Sequence, residues 1–87
     1  MTRDPATRLA VARAFRELRE RAGYSQEGLA LLANLDRTYI SGLERGRHDP
    51  TIRTLLWIAP FLSVTAAELV ALIEKYYRAR RSKRTPS

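Results

Sequence analysis

The sequence predicts an all-α fold, a compact bundle of about five helices. Three observations carry that prediction. Apolar residues recur at spacings of three and four along most of the chain, the signature of one buried helical face. Capping residues stand at intervals that divide this pattern into segments: Asp4, Ser25, Asp36, Thr51 and Thr65. No alternating run with turn chemistry suggests a sheet, and no repeat of solenoid period is present.

The first helix opens at Asp4-Pro5, a cap followed by proline at the first helical position. Val11, Phe15, Leu18 and Ala22 then form its inner stripe, and Gly23 supplies a left-handed stop, so it should span residues 5–22. Ser25 caps the second helix, with Leu29 and Leu32 facing inward and Tyr24 stapled against Leu29. Gly28 stands where a glutamate would complete a capping box, at a helix cost of about 1 kcal/mol relative to alanine. Asp36 caps the third helix, Leu35 staples onto Ile40, and the helix should end near Arg45-Gly46.

Thr51 caps a fourth helix whose residues Ile52, Leu55, Leu56 and Ala59 make one broad apolar face. Pro60 removes a backbone donor and clashes with the preceding turn, so this helix should kink or stop near Ala59. Thr65-Ala66-Ala67-Glu68 is a full capping box, with Val64 and Leu69 as its staple. Leu69, Leu72, Ile73 and Tyr76 continue the apolar stripe of a fifth helix. Residues 1–79 therefore read as one folded domain and residues 80–87, basic and without an apolar anchor, as a mobile tail.

Composition narrows the function. A chain of 87 residues, 45% of them apolar, folds around one small core and has little room for a large catalytic cleft. No apolar run approaches the roughly 20 residues of a membrane span, and MTRDPATR lacks the apolar centre of an export signal. A cytoplasmic location without membrane attachment is expected. With no cysteine and one histidine, neither a disulfide nor a metal site is expected, and nothing calls for a cofactor. The net charge of +7 favours a polyanionic partner. Six arginines lie between Arg3 and Arg21, four between Arg37 and Arg53, and the tail adds Arg78, Arg80, Arg81, Lys83 and Arg84. Charge alone is as compatible with a solvated face as with nucleic acid.

The segment Ser25–Pro50 decides between them. Two short capped helices across a tight polar break make a helix-turn-helix, in which the second helix enters the DNA major groove. Arg37 and Thr38 open that helix, and small Ser41 and Gly42 let its outer face sit close to a surface. Ile40 and Leu43 point the other way, into the core.

SQEGLA, NLDRTYISGLERG and IAPFLSVTAAEL resemble the Cro/C1-type, or XRE-like, helix-turn-helix regulators over residues 8–73. Within that family DRTYISGLERG, followed by a polar loop and Thr-Ile, is most similar to the controller proteins of restriction–modification systems. The resemblance implies base reading by Arg37, Thr38, Ser41 and Gly42, the arginine gripping guanine O6 and N7 bidentately. Gly42 departs from relatives that place a longer side chain there, and Ser63 replaces their left-handed glycine. Tyr39 is implied either to reach a sugar or central base step or to wedge against the backbone. Gln26, at the first position of the second helix, matches a phosphate-contacting residue. Arg45 and Arg47 are placed for phosphates, and His48 reads as a surface residue or a phosphate contact. Arg19 and Glu44 match a buried ion pair tying the third helix to the first.

No glycine-rich phosphate loop, metal cluster or nucleophile–base arrangement supports an enzyme. The implied partners are a palindromic double-stranded operator and a second copy of the chain, paired through Leu69, Leu72, Ile73 and Tyr76, with RNA polymerase contact left open and no small-molecule ligand expected. The alternative is an antitoxin-like interaction module that also autoregulates by binding DNA.

Overall fold

Four residues with left-handed backbone divide this chain into helices. In the computed structural model, which describes the backbone of residues 5–84 and the side chains of residues 5–81, they are Gly23 (φ 86°), Asn34 (φ 57°), Gly46 (φ 72°) and Ser63 (φ 61°). Each closes its helix in the same way. The left-handed residue donates its N–H to the carbonyl three residues back, and the next residue reaches back five, as in Leu35 N to Ala30 O at 2.8 Å and Arg47 N to Gly42 O at 2.9 Å. This pair of bonds satisfies carbonyls that the helix end leaves open.

The elements so defined are α1 (Pro5–Ala22), α2 (Gln26–Ala33), α3 (Arg37–Glu44), α4 (Ile52–Ile58), a 3-10 turn (Ala59–Leu62) and α5 (Ala66–Arg84). Pro5 begins α1 as expected, while the Asp4 cap lies outside the described residues. Ser25 Oγ accepts the N–H of Gly28 at 2.9 Å and Thr51 Oγ1 that of Thr54 at 3.1 Å. The capping box of α5 closes reciprocally, with Thr65 N to Glu68 Oε1 at 2.8 Å and Glu68 N to Thr65 Oγ1 at 3.0 Å. At α3 the expectation is corrected. Asp36 occupies the cap position, but its side chain makes no capping bond; its carbonyl receives Tyr39 and Ile40.

Phe15, Leu29, Ile40, Leu43, Ile58 and Leu69 are fully buried and come from α1 through α5, so one core serves the whole bundle. α5 lies along α1, the most extensive packing in the fold, and α3 rests against α1 and α2. Trp57 Nε1 donates to the Ala33 carbonyl at 2.7 Å, and this bond fastens α4 to the end of α2. Pro60 ends the α-helical bonding as expected, after which the chain tightens into the 3-10 turn.

Three sequence expectations are corrected. Leu32 is 49% exposed, because Leu29, Ala30 and Ala33 define the inward arc of α2 and Leu32 falls beyond its edge. The broad face expected on α4 splits: Leu55, Ile58 and Ala59 turn into the core, leaving Ile52 at 70% and Leu56 at 61% exposure. The boundary at residue 80 also moves, since α5 stays helical through Arg84. Helical propensity of arginine and lysine, with Glu74 paired to Arg78 one turn on at 3.1 Å, carries the helix past its last apolar residue. Residues 85–87 of the expected tail lie outside the described residues.

Candidate nucleic-acid interface

α3 is built with one face fixed and one face open. Ile40 and Leu43 are fully buried, whereas Arg37 and Thr38 are exposed and Ser41 half-buried. Apolar burial on one side holds the helix in place and leaves the other side for contact. Arg37 sits at the positive end of the helix dipole, an unfavourable place for a cation.

Beneath this helix lies a charged lock. Arg19 Nε donates to Glu44 Oε2 at 2.6 Å and its terminal nitrogen to Glu44 Oε1 at 2.9 Å. The other terminal nitrogen donates to the Tyr24 carbonyl at 2.7 Å. The side chains are 10% and 3% exposed, so the pair is nearly dry. The Glu44 hydrogen bond raises the Arg19 pKa, with the carboxylate charge of Glu44 acting in the same direction and burial opposing. Gln26 joins them, its amide nitrogen donating to Glu44 Oε1 at 3.1 Å. The start of α2, the end of α3 and the last turn of α1 are thereby fixed to one carboxylate. The sequence implied the Arg19–Glu44 contact but not the Gln26 bond, which joins residues 18 positions apart.

The loop after α3 folds back over it. Arg8 Nε meets Asp49 Oδ2 at 3.5 Å, holding the loop to α1. Arg45, Arg47 and His48 are exposed. The His48 ring stacks on Tyr39, with centroids 5.8 Å apart and planes 14° apart, and it also covers Gly42. Gly42 is therefore buried, which corrects the reading of its backbone as open outer surface. Tyr39 is half-buried against the core rather than freely projecting.

The apolar stripe of α5 is used inside the monomer more than expected. Leu69 is fully buried, and Leu72 and Ile73 pack on the core. The Tyr76 hydroxyl donates to Glu17, and the Arg13 guanidinium lies 4.2 Å above its ring. Leu69 is thus removed from any interface, because α1 covers this face. The open apolar surface lies around the helix instead, in a groove between α4 and α5 lined by Ile52, Leu56, Ala67, Val70 and Ala71. The sequence offered these side chains but not their outward direction.

Among the described residues, no three His, Asp or Glu side chains converge as a metal site would require, and no single helix is long and apolar enough to cross a membrane.

Comparison with known proteins agrees with this architecture. A family model described as helix-turn-helix matches residues 15–69. The control protein C.MunI of a Mycoplasma species is 39% identical over 57 residues, covering 66% of this chain and 77% of that protein. The crystal structure of the restriction–modification controller protein C.AhdI from Aeromonas hydrophila superposes with a TM-score of 0.67 at 39% identity, covering 71% of this chain and 94% of that one. The controller protein C.Esp1396I, solved as a tetramer on its natural 35 base-pair operator, gives a TM-score of 0.72 at 35% identity, covering 82% of this chain and 93% of that one.

The chain belongs to the helix-turn-helix family, in its Cro/C1-type branch. It is a transcriptional regulator similar to restriction–modification controller proteins.

Proposed function

We propose that this regulator binds double-stranded DNA sequence-specifically, as a homodimer on a palindromic operator, in the manner of a restriction–modification controller. The observation that carries the reading is α3 itself: locked from below through Glu44 and open above with Arg37, Thr38 and Ser41 in one row. Those three residues read base edges in the major groove, led by Arg37 on guanine. Arg45 and Arg47 follow at the helix end and contact phosphates. Gln26 keeps a second amide hydrogen beyond the one given to Glu44, and it opens α2, where backbone N–H groups favour an anion.

One short helix reads only a few base pairs, so a twofold pair addressing half-sites about 34 Å apart is required for a usable site. The groove of Ile52, Leu56 and Val70 is the self-complementary face that would join the two copies. C.Esp1396I bound to its operator as a tetramer is a relative in which assembly and DNA binding go together.

Selection of bound sequences from a random duplex pool, followed by footprinting, tests the reading. Two inverted half-sites are expected. Recovery of no common sequence would overturn it. Co-purification with a small companion protein, with no duplex bound, would instead favour the antitoxin-like alternative.

A further inference from the structure

The outer face of α3 has a gap that another part of the chain fills. Thr38 is exposed, yet Gly42, one turn later on the same face, is buried. The cover is the imidazole of His48: a β-carbon built on Gly42 would collide with Cδ2 and Nε2 of that ring. The ring therefore lies where the first atoms of a side chain at position 42 would be. It is held there by stacking on Tyr39 and by a loop tied to α1 through Arg8 and Asp49.

We propose that His48 is a base-reading residue, lent by the loop to the position that Gly42 leaves empty. This rests on α3 being the reading helix, and it moves His48 from phosphate contact to direct readout. Glycine at position 42 is required because any side chain there displaces the ring. Imidazole carries a nitrogen that donates and, when neutral, one that accepts, so it can address a base edge as the longer polar side chain of a reading helix does. Stacking on Tyr39 fixes the ring's plane, which reduces the freedom lost on binding.

The test compares the wild type with His48→Ala, Gly42→Ala, the double variant, His48→Gln and Arg37→Ala in one binding selection from random duplexes. His48→Ala should lower preference at one base pair in each half-site by about tenfold. Gly42→Ala, which meets only a movable side chain and places a better helix former in α3, should keep its fold and lose preference at that same base pair. The double variant should lose no more than either single one. His48→Gln, which keeps a donor and an acceptor, should restore part of the preference or shift it to another base. If Gly42→Ala fails to fold, the two His48 variants decide the matter.

Unchanged base preference in His48→Ala, while Arg37→Ala loses preference at its own base pair, would overturn the inference and leave α3 as reader. No preference in any variant, the wild type included, would overturn the proposed function with it.

Discussion

Arg19 grips Glu44 through two parallel N–H···O bonds of 2.6 and 2.9 Å in a nearly dry site. The contact joins the last turn of α1 to the last turn of α3 and fixes one helix against the other. Removing one partner strands a buried charge. Glu44→Ala should destabilise the fold by about 3–5 kcal/mol. Arg19→Lys should also be costly, because an ammonium cannot make the paired bonds to Glu44 and the bond to Tyr24 at once. Denaturant unfolding checks both; an unchanged midpoint in Glu44→Ala would remove the lock from the account.

Ser63 holds φ at 61° at the end of the 3-10 turn, a conformation that strains an ordinary side chain. Its side chain is exposed, so little else is lost on removing it. Ser63→Gly should therefore stabilise the protein by about 0.5–1 kcal/mol after the added freedom of the unfolded chain is set against the relieved strain. Thermal unfolding reads the sign.

Tyr76 supplies a pH-dependent term. Its hydroxyl donates to Glu17, and this bond, followed by burial and the Glu17 charge, raises its pKa above the usual tyrosine value, with Arg13 opposing. The folded chain then holds the proton more tightly than the unfolded one. The stability this adds is whole below about pH 10, where an unfolded tyrosine ionises, and is lost as pH rises through the raised value. Stability profiles of the wild type and Tyr76→Phe should converge on the alkaline side. Parallel profiles up to the end of the titration would contradict this.

Much of this architecture was legible locally. Pro5, Gly23, Pro60 and the Thr65–Glu68 box mark helix ends by the chemistry of a few adjacent residues, and each acts where its sequence places it. What depends on distant neighbours was not. Leu56 and Leu69 are equally apolar, yet Leu69 is buried and Leu56 faces out, a difference set by how α4 and α5 pack on the rest of the bundle. The Arg19–Glu44 pair came from family resemblance, since no local rule links residues 25 apart. His48 over Gly42 needed the return path of a loop, although a glycine in mid-helix was a sign that something bulky would come close.

The direction of Leu56 and Val70 gives the dimer a sharp test. Both are exposed in the monomer, at 61% and 44%. Leu56→Glu with Val70→Glu should leave helicity intact and shift sedimentation to a monomer at micromolar concentration. Leu69→Ala should instead lower stability by about 2–5 kcal/mol, as a core truncation does. A double glutamate variant that remains dimeric would place the interface elsewhere.

Under the proposed function α3 reads sequence while its flanking arginines only hold the backbone. Binding selections and salt titrations on Arg37→Ala and Arg47→Ala test it most directly. Arg37→Ala should cost about 1–3 kcal/mol on the selected site and flatten preference at one base pair. Arg47→Ala should weaken all duplexes alike and reduce the salt slope by about one. Full sequence preference retained in Arg37→Ala would contradict the account.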